Sequence, residues 1–266
     1  MKLRRFFIGV LSIIAGLALV ACSPSSSQLK KVMQDNPDIL YAAIEANPKG
    51  FFDVIQKAQG KARESQMEDQ MSGELKRVTE EMKSPKSVEL DNSRASIGRS
   101  GAPITIVSWA DFNCGHCSQA AETMEKIADT YKDKVYIVFK HLPILSEDSR
   151  MAAEYMEAIA LQDKDRAWRF HSEVFEKQSE FRQGKEDFLK KIAKSVGADL
   201  GKIKKDIKGD AVKKRIDADV AEARKFEFNG TPGFMINGAS VHGAYPYDFF
   251  KKVIDSVLAG DSSAKK

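Results

Sequence analysis

One stretch, Pro103 to Ala128, PITIVSWADFNCGHCSQAAETMEKIA, constrains the fold more than any other. Ile104, Thr105, Ile106 and Val107 form a run dense in β-branched residues, the composition of a buried strand. Within a few residues it gives way to helical periodicity, expected from about Cys114 to Lys132, and two of the chain's three cysteines stand in the first turn of that helix. A strand that hands a Cys-x-x-C pair to a helix N-terminus already specifies a βα unit. It also specifies a chemistry, because the unsatisfied N–H groups of the first turn favour a thiolate at the leading cysteine.

That asymmetry makes Cys114 the expected nucleophile and Cys117, three residues further in and less exposed, the resolving thiol. His116 lies between them, where a protonated imidazole would stabilise the Cys114 thiolate further. A structural bridge is a poor explanation, since so small a loop removes little unfolded-state entropy. Structural zinc would want two more ligands, and no second cysteine pair exists. Copper(I) held by the two thiolates is the alternative, with Met67, Met71 and Met82 as conceivable thioether ligands, although these methionines fit a helical stripe better. No metal or other cofactor is predicted. His141, His171 and His242 have no comparable context.

A second constellation, Gly230-Thr231-Pro232-Gly233-Phe234, stands far along the chain at the start of a strand. An X-Pro bond there can be cis, and beside a dithiol the preceding backbone could pair with an extended substrate chain. A plain loop proline is the alternative. The remainder of this half reads as a second strand, KVYIVFKHLPIL, and a helical block at about 147–228 broken at Gln162-Asp163, Gly184, Gly197 and Gly209. Two further strands follow, then an amphipathic helix ended by Gly260.

The N-terminus has a different character. Lys2, Arg4 and Arg5 precede an uncharged run from Phe6 to Val20, fifteen residues against the ~20 of a bilayer span, which fits a signal peptide. Leu19-Val20-Ala21-Cys22 resembles the lipobox of bacterial lipoproteins, which implies acylation at Cys22 and places the chain on the periplasmic face of the outer membrane if the source is Gram-negative. Taking the three basic residues of 1–21 from the 42 Lys and Arg leaves 39 against 38 Asp and Glu. So balanced a charge offers nothing to nucleic acid.

The expected domains are a signal peptide at 1–21, a polar tether at 22–28, a helical segment at 29–83, a linker at 84–102 and a catalytic domain at 103–266. Asn36-Pro37 and Asn47-Pro48 punctuate the helical segment as helix starts. Met67, Met71, Leu75, Val78 and Met82 line one narrow face of its long helix, as an oligomer seam does, and subunit association is the expectation.

Taken together, APITIVSWADFNCGHC, VFKHLPIL, the helical block and FNGTPGFMING resemble the DsbA-like branch of the thioredoxin superfamily over about residues 97–260. The NPDIL helices resemble the oligomerisation segments of its Com1-like lipoprotein members. The resemblance implies an α/β thioredoxin-like fold with an inserted helical domain, preceded by an all-α oligomerisation segment. It implies a thiol:disulfide oxidoreductase that forms or isomerises disulfides in unfolded or misoxidised secreted proteins, served by a membrane redox partner. Cys114 and Cys117 would be the redox pair, His116 the tuning residue, and Thr231-Pro232 the loop that holds substrate. Gly-His between the cysteines and Thr before the proline depart from the strongest oxidases and point toward a more isomerase-like pair. Many relatives place a buried acid six residues before the first cysteine, where this chain has Ser108; Asp111 or water would have to move the proton instead.

Overall fold

The computed structural model describes residues 25–264, and the chain divides after Gln66 into two compact units. Cys22 and the expected signal peptide lie outside the described residues. Among those described, no helix is long and apolar enough to cross a membrane.

The first unit is built from α1 (Ser26–Asp35), α2 (Pro37–Ala46) and the beginning of α3 (Pro48–Glu81). Each start has a local cause. Ser25 and Gln28 form a reciprocal capping box, Pro37 occupies the first turn of α2 after Asn36, and Asn47 Oδ1 accepts the Gly50 N–H at 3.0 Å. The capping box moves the helix into the expected tether: Ser26 and Ser27 are already helical. Neither α1 nor α2 buries a side chain, and Leu29, Ile39, Phe52 and Val54 remain half or more exposed.

The second unit holds a five-stranded sheet in the order β1-β3-β2-β4-β5. β2 (Ile104–Ala110) and β3 (Val135–His141) run parallel, joined by α4 (Gly115–Tyr131), because parallel neighbours need a crossover. β4 (Gly233–Ile236) lies antiparallel to β2, and β5 (Ala239–His242) returns from β4 through Asn237 and Gly238, both at positive φ. This is the Asn-Gly hairpin turn. Alternate residues of β2 and β3 feed opposite faces. Ile104, Ile106, Ile137 and Phe139 join the larger core with α4 and the insertion, and Val107, Trp109, Tyr136 and Val138 join a smaller one with Phe226 and Phe228. Both faces are buried, which explains the near-continuous apolar runs. α10 (Tyr247–Ala264) closes the chain and runs on through Gly260 rather than stopping there.

Between β3 and β4 stands the helical insertion: α5 (Glu147–Ala160), α6 (Lys164–Glu176), α7 (Gln178–Ser195), α8 (Leu200–Asp206) and α9 (Asp210–Lys225). A further break, at Lys177, separates α6 from α7, while Gly184 marks only a kink, with Lys185 at φ 46°.

Two expected boundaries change. Residues 84–102 are not a simple linker, because β1 (Ser96–Gly98) pairs antiparallel with β3 and closes one side of the sheet. Arg94, 6% exposed, bonds Asp219 at 2.7 Å and Glu157 at 3.0 Å, tying this segment to α5 and α9. The end of α3 is not a free seam either. Val78 is fully buried, and Met71, Leu75 and Met82 pack against the core of the second unit. There α3 covers β5, the last strand: Arg77 donates to the Ser240 carbonyl, and Glu81 accepts the Ser240 N–H at 3.2 Å. Side chains thus satisfy backbone groups that an open edge would offer to another chain.

Candidate active site

β2 ends in Ala110, and Asp111 begins the turn into α4. The Asp111 carboxylate accepts N–H groups from Asn113 at 2.8 Å and from Ile144 and Leu145 at 2.9 Å each. Its oxygens therefore staple the active-site turn to the loop after β3. Cys114 is the N-cap of α4, and its carbonyl accepts the Cys117 N–H at 3.0 Å.

The two thiols are free and differ in setting. Cys114 is 8% exposed and Cys117 1%. The Cys117 thiol, hydrogen-bonded to Cys114, lowers the Cys114 pKa to about 5. Burial opposes this, while the Thr231 side chain and the backbone N–H groups of Cys117 and His116 support it. Burial, and then the same thiol–thiol bond, push Cys117 far up. His116 sits exposed, so its contact with the sulfur comes through its backbone.

Thr231 and Pro232, 117 and 118 positions after Cys114, are brought beside it by the β2–β4 pairing. The bond between them is cis, and the Cys114 sulfur lies 3.4 Å from the Thr231 carbonyl oxygen. The Gly243 N–H donates to the Pro232 carbonyl at 2.9 Å, holding the loop from behind. A groove beside this loop is lined by Gln119 and Thr123 of α4, His242 at the end of β5, Tyr245 after it, and Met67 and Met71 of α3. Met71 is thus spent on packing and groove wall, and Met82 on packing.

Ser108 lies buried and lines a small cavity with Cys117 and His171. His171 is fully enclosed, stacked on Trp168, and burial depresses its pKa to about 3. His141 joins Glu157 and Asp219 in a buried cluster of metal-ligand types. Arg94 occupies it, and Arg215 reaches Glu157 at 3.1 Å, so guanidinium charge already balances the carboxylates. Burial favours a raised pKa at Glu157, but His141 and the two arginines hold it down at about 2.

Sequence reasoning missed two residues at the site, Gln178 and Arg182 of α7. Gln178 Nε2 donates to the carbonyls of Phe112 at 2.8 Å and Cys114 at 2.9 Å, and Arg182 Nη2 to that of Asn113 at 3.0 Å. Both read as ordinary polar positions on an amphipathic helix, and no local signal marks them.

Residues 89–256, carrying the sheet, the cysteine pair and the insertion, match the family described as Thioredoxin. The chain belongs to the thioredoxin family. The probable disulfide bond formation protein D of Bacillus cereus is 30% identical over 174 residues, covering 63% of this chain and 80% of that protein. A thioredoxin-like oxidoreductase from Silicibacter pomeroyi superposes with a TM-score of 0.55 at 28% identity, over 64% of this chain and 94% of its own. The catalytic domain of Proteus mirabilis ScsC does so at 0.56 and 26%, over 64% and 91%. Within the thioredoxin family this chain is a DsbA-like thiol:disulfide oxidoreductase.

Proposed function

We propose that the protein works in the cell envelope, anchored through an acylated Cys22, and forms or reshuffles disulfides in unfolded or misoxidised secreted proteins through Cys114 and Cys117. The observation that carries the reading is the inequality of the two sulfurs. A thiol at about 5 is a thiolate at neutral pH and a good leaving group, whereas its neighbour keeps its proton.

In the oxidising direction a client thiolate attacks Cys114 Sγ of the Cys114–Cys117 disulfide. The S–S bond breaks, Cys117 leaves and takes a proton, and a mixed disulfide joins Cys114 to the client. A second client thiolate then attacks the client sulfur, forming the client disulfide and releasing Cys114 as its stable thiolate. The client is oxidised by two electrons and the pair reduced by two; a membrane redox partner reoxidises it. In isomerisation the reduced pair begins instead, with Cys114 attacking a wrong client disulfide and Cys117 resolving any adduct that stalls.

The Thr231 carbonyl, within 3.4 Å of the sulfur, is placed to accept a client backbone N–H beside the reacting cysteine, and the adjoining Met-lined groove suits apolar flanking residues. The apolar side chains left uncovered on α1, α2 and early α3 support association with further copies of the chain. Com1-like lipoproteins are the relatives this arrangement resembles.

Cys114→Ser is expected to abolish insulin reduction and RNase refolding, while Cys117→Ser accumulates client adducts on Cys114. An unimpaired Cys114→Ser protein would end the proposal. Globomycin-sensitive processing and acyl labelling lost in Cys22→Ser test the anchor.

A further inference from the structure

Three successive carbonyls lead into the active-site helix, those of Phe112, Asn113 and Cys114, and all three accept donors from α7. Gln178 supplies two of these bonds from one amide group; its own Oε1 accepts from Arg182 Nη2 at 2.8 Å, which locks the two side chains together. Gln178 is 8% exposed, so its amide has little water to turn to, and its bonds persist only while the loop stays in place. Arg182 sits at the surface, close over the start of α4.

The Cys114 carbonyl also accepts the N–H of Cys117 at 3.0 Å and of Ser118 at 3.3 Å. A donor pulling on that carbonyl therefore sets the first turn of α4, and this turn carries the N–H groups of His116 and Cys117 that face the Cys114 sulfur. Carbonyls turned toward α7 are also carbonyls kept from opposing a negative sulfur.

We propose that Gln178 and Arg182 are positioning residues that set the reactivity of Cys114, so that the helical insertion, and not the Gly-His dipeptide alone, governs how oxidising the pair is. This rests on Cys114 being the attacking thiol. By holding residues 112–114 from outside the thioredoxin core, the clamp keeps the backbone donors of the first turn on the sulfur, and with them the thiolate.

The test uses the full chain, reading the pH dependence of Cys114 alkylation in the reduced protein and the equilibrium of the pair with glutathione. Gln178→Leu should leave about tenfold less thiolate at a fixed acidic pH, the scale of one backbone N–H bond to the charged sulfur lost when the turn slackens. The glutathione equilibrium should shift tenfold toward the protein disulfide, which is ~30 mV. Gln178→Glu should shift both further, since a carboxylate would face the carbonyls. Arg182→Met should act in the same direction by about threefold, as suits an exposed, screened charge, and Arg182→Lys should restore it. Ser172→Ala serves as the control: Ser172 donates to Glu125 and joins α6 to α4 away from the loop.

Gln178→Leu leaving both readouts within twofold of the unsubstituted protein would overturn the proposal, whatever its melting temperature does. So would Ser172→Ala shifting them equally, because general loosening of the insertion would then suffice. If the unsubstituted Cys114 itself titrates near an ordinary thiol value, the reading of Cys114 fails first, and separately.

Discussion

Two cysteines three positions apart end up as different acids because one caps a helix and the other is enclosed by it. A lowered pKa has a definite consequence for stability. Cys114 in the unfolded chain titrates near an ordinary thiol value, and in the folded reduced protein at about 5. Between these limits the unfolded state binds one proton more, so the reduced protein gains stability as pH rises from about 5 toward about 9 and loses it on acidification through 5. The disulfide form has no such group. The melting temperature of the reduced form relative to the disulfide form should therefore be higher at pH 7.5 than at pH 4.5; a difference that stays flat would mean the thiolate is not stabilised. His171 acts in the same direction and in both redox forms, since its depressed pKa keeps a neutral ring in the core and the unfolded chain takes up that proton first as pH falls. At this scale the sequence was informative wherever function depends on local order. The Cys-x-x-C pair and Thr231-Pro232 can be read directly, whereas Gln178 and Arg182 matter only because α7 folds back over the loop.

Elements show where periodicity misleads. The stripe Met71, Leu75, Val78 and Met82 is apolar on one face, and a narrow apolar face reads alike whether it meets another subunit or the chain's own core. In the folded chain it meets the second unit, and Arg77 and Glu81 cover the β5 edge. Truncation at two points separates the roles. Removal of residues 25–66 should leave a body that melts close to the full chain, and removal of 25–83 should lower the melting temperature and promote aggregation through the uncovered edge. Val78→Ala alone should cost about 2 kcal/mol in chemical denaturation, the scale of emptying a buried aliphatic site. Arg94 makes the same point for residues 84–102. Removing its charge leaves Glu157 and Asp219 buried with one guanidinium fewer, so Arg94→Met should cost about 3–5 kcal/mol. A smaller loss, under 1 kcal/mol, would mean that Arg215 and His141 suffice.

The whole molecule combines a compact oxidoreductase body with helices that bury nothing of their own. Isolated ten-residue helices are marginal in water, so α1 and α2 need an apolar partner, and further copies of the chain are the proposed one. Sedimentation of the full chain should show an oligomer that becomes a monomer when residues 25–66 are removed, with cysteine oxidation retained and isomerisation of scrambled substrates reduced several-fold. A full chain that sediments as a monomer would remove this idea.

By itself the sequence determined most of the elements and the thiol chemistry they carry. β-branched runs, Asn-Pro helix starts and a thiol pair at a helix mouth act over a few residues, and short-range sterics and hydrogen bonding suffice to specify them. Only the tertiary structure decided which apolar stripe is core, that Ser96–Gly98 is a strand, that Asp111 is a staple and that α7 grips the active-site loop. Each of these depends on a partner distant in sequence, and a residue's own pattern carries no record of what the rest of the chain brings against it.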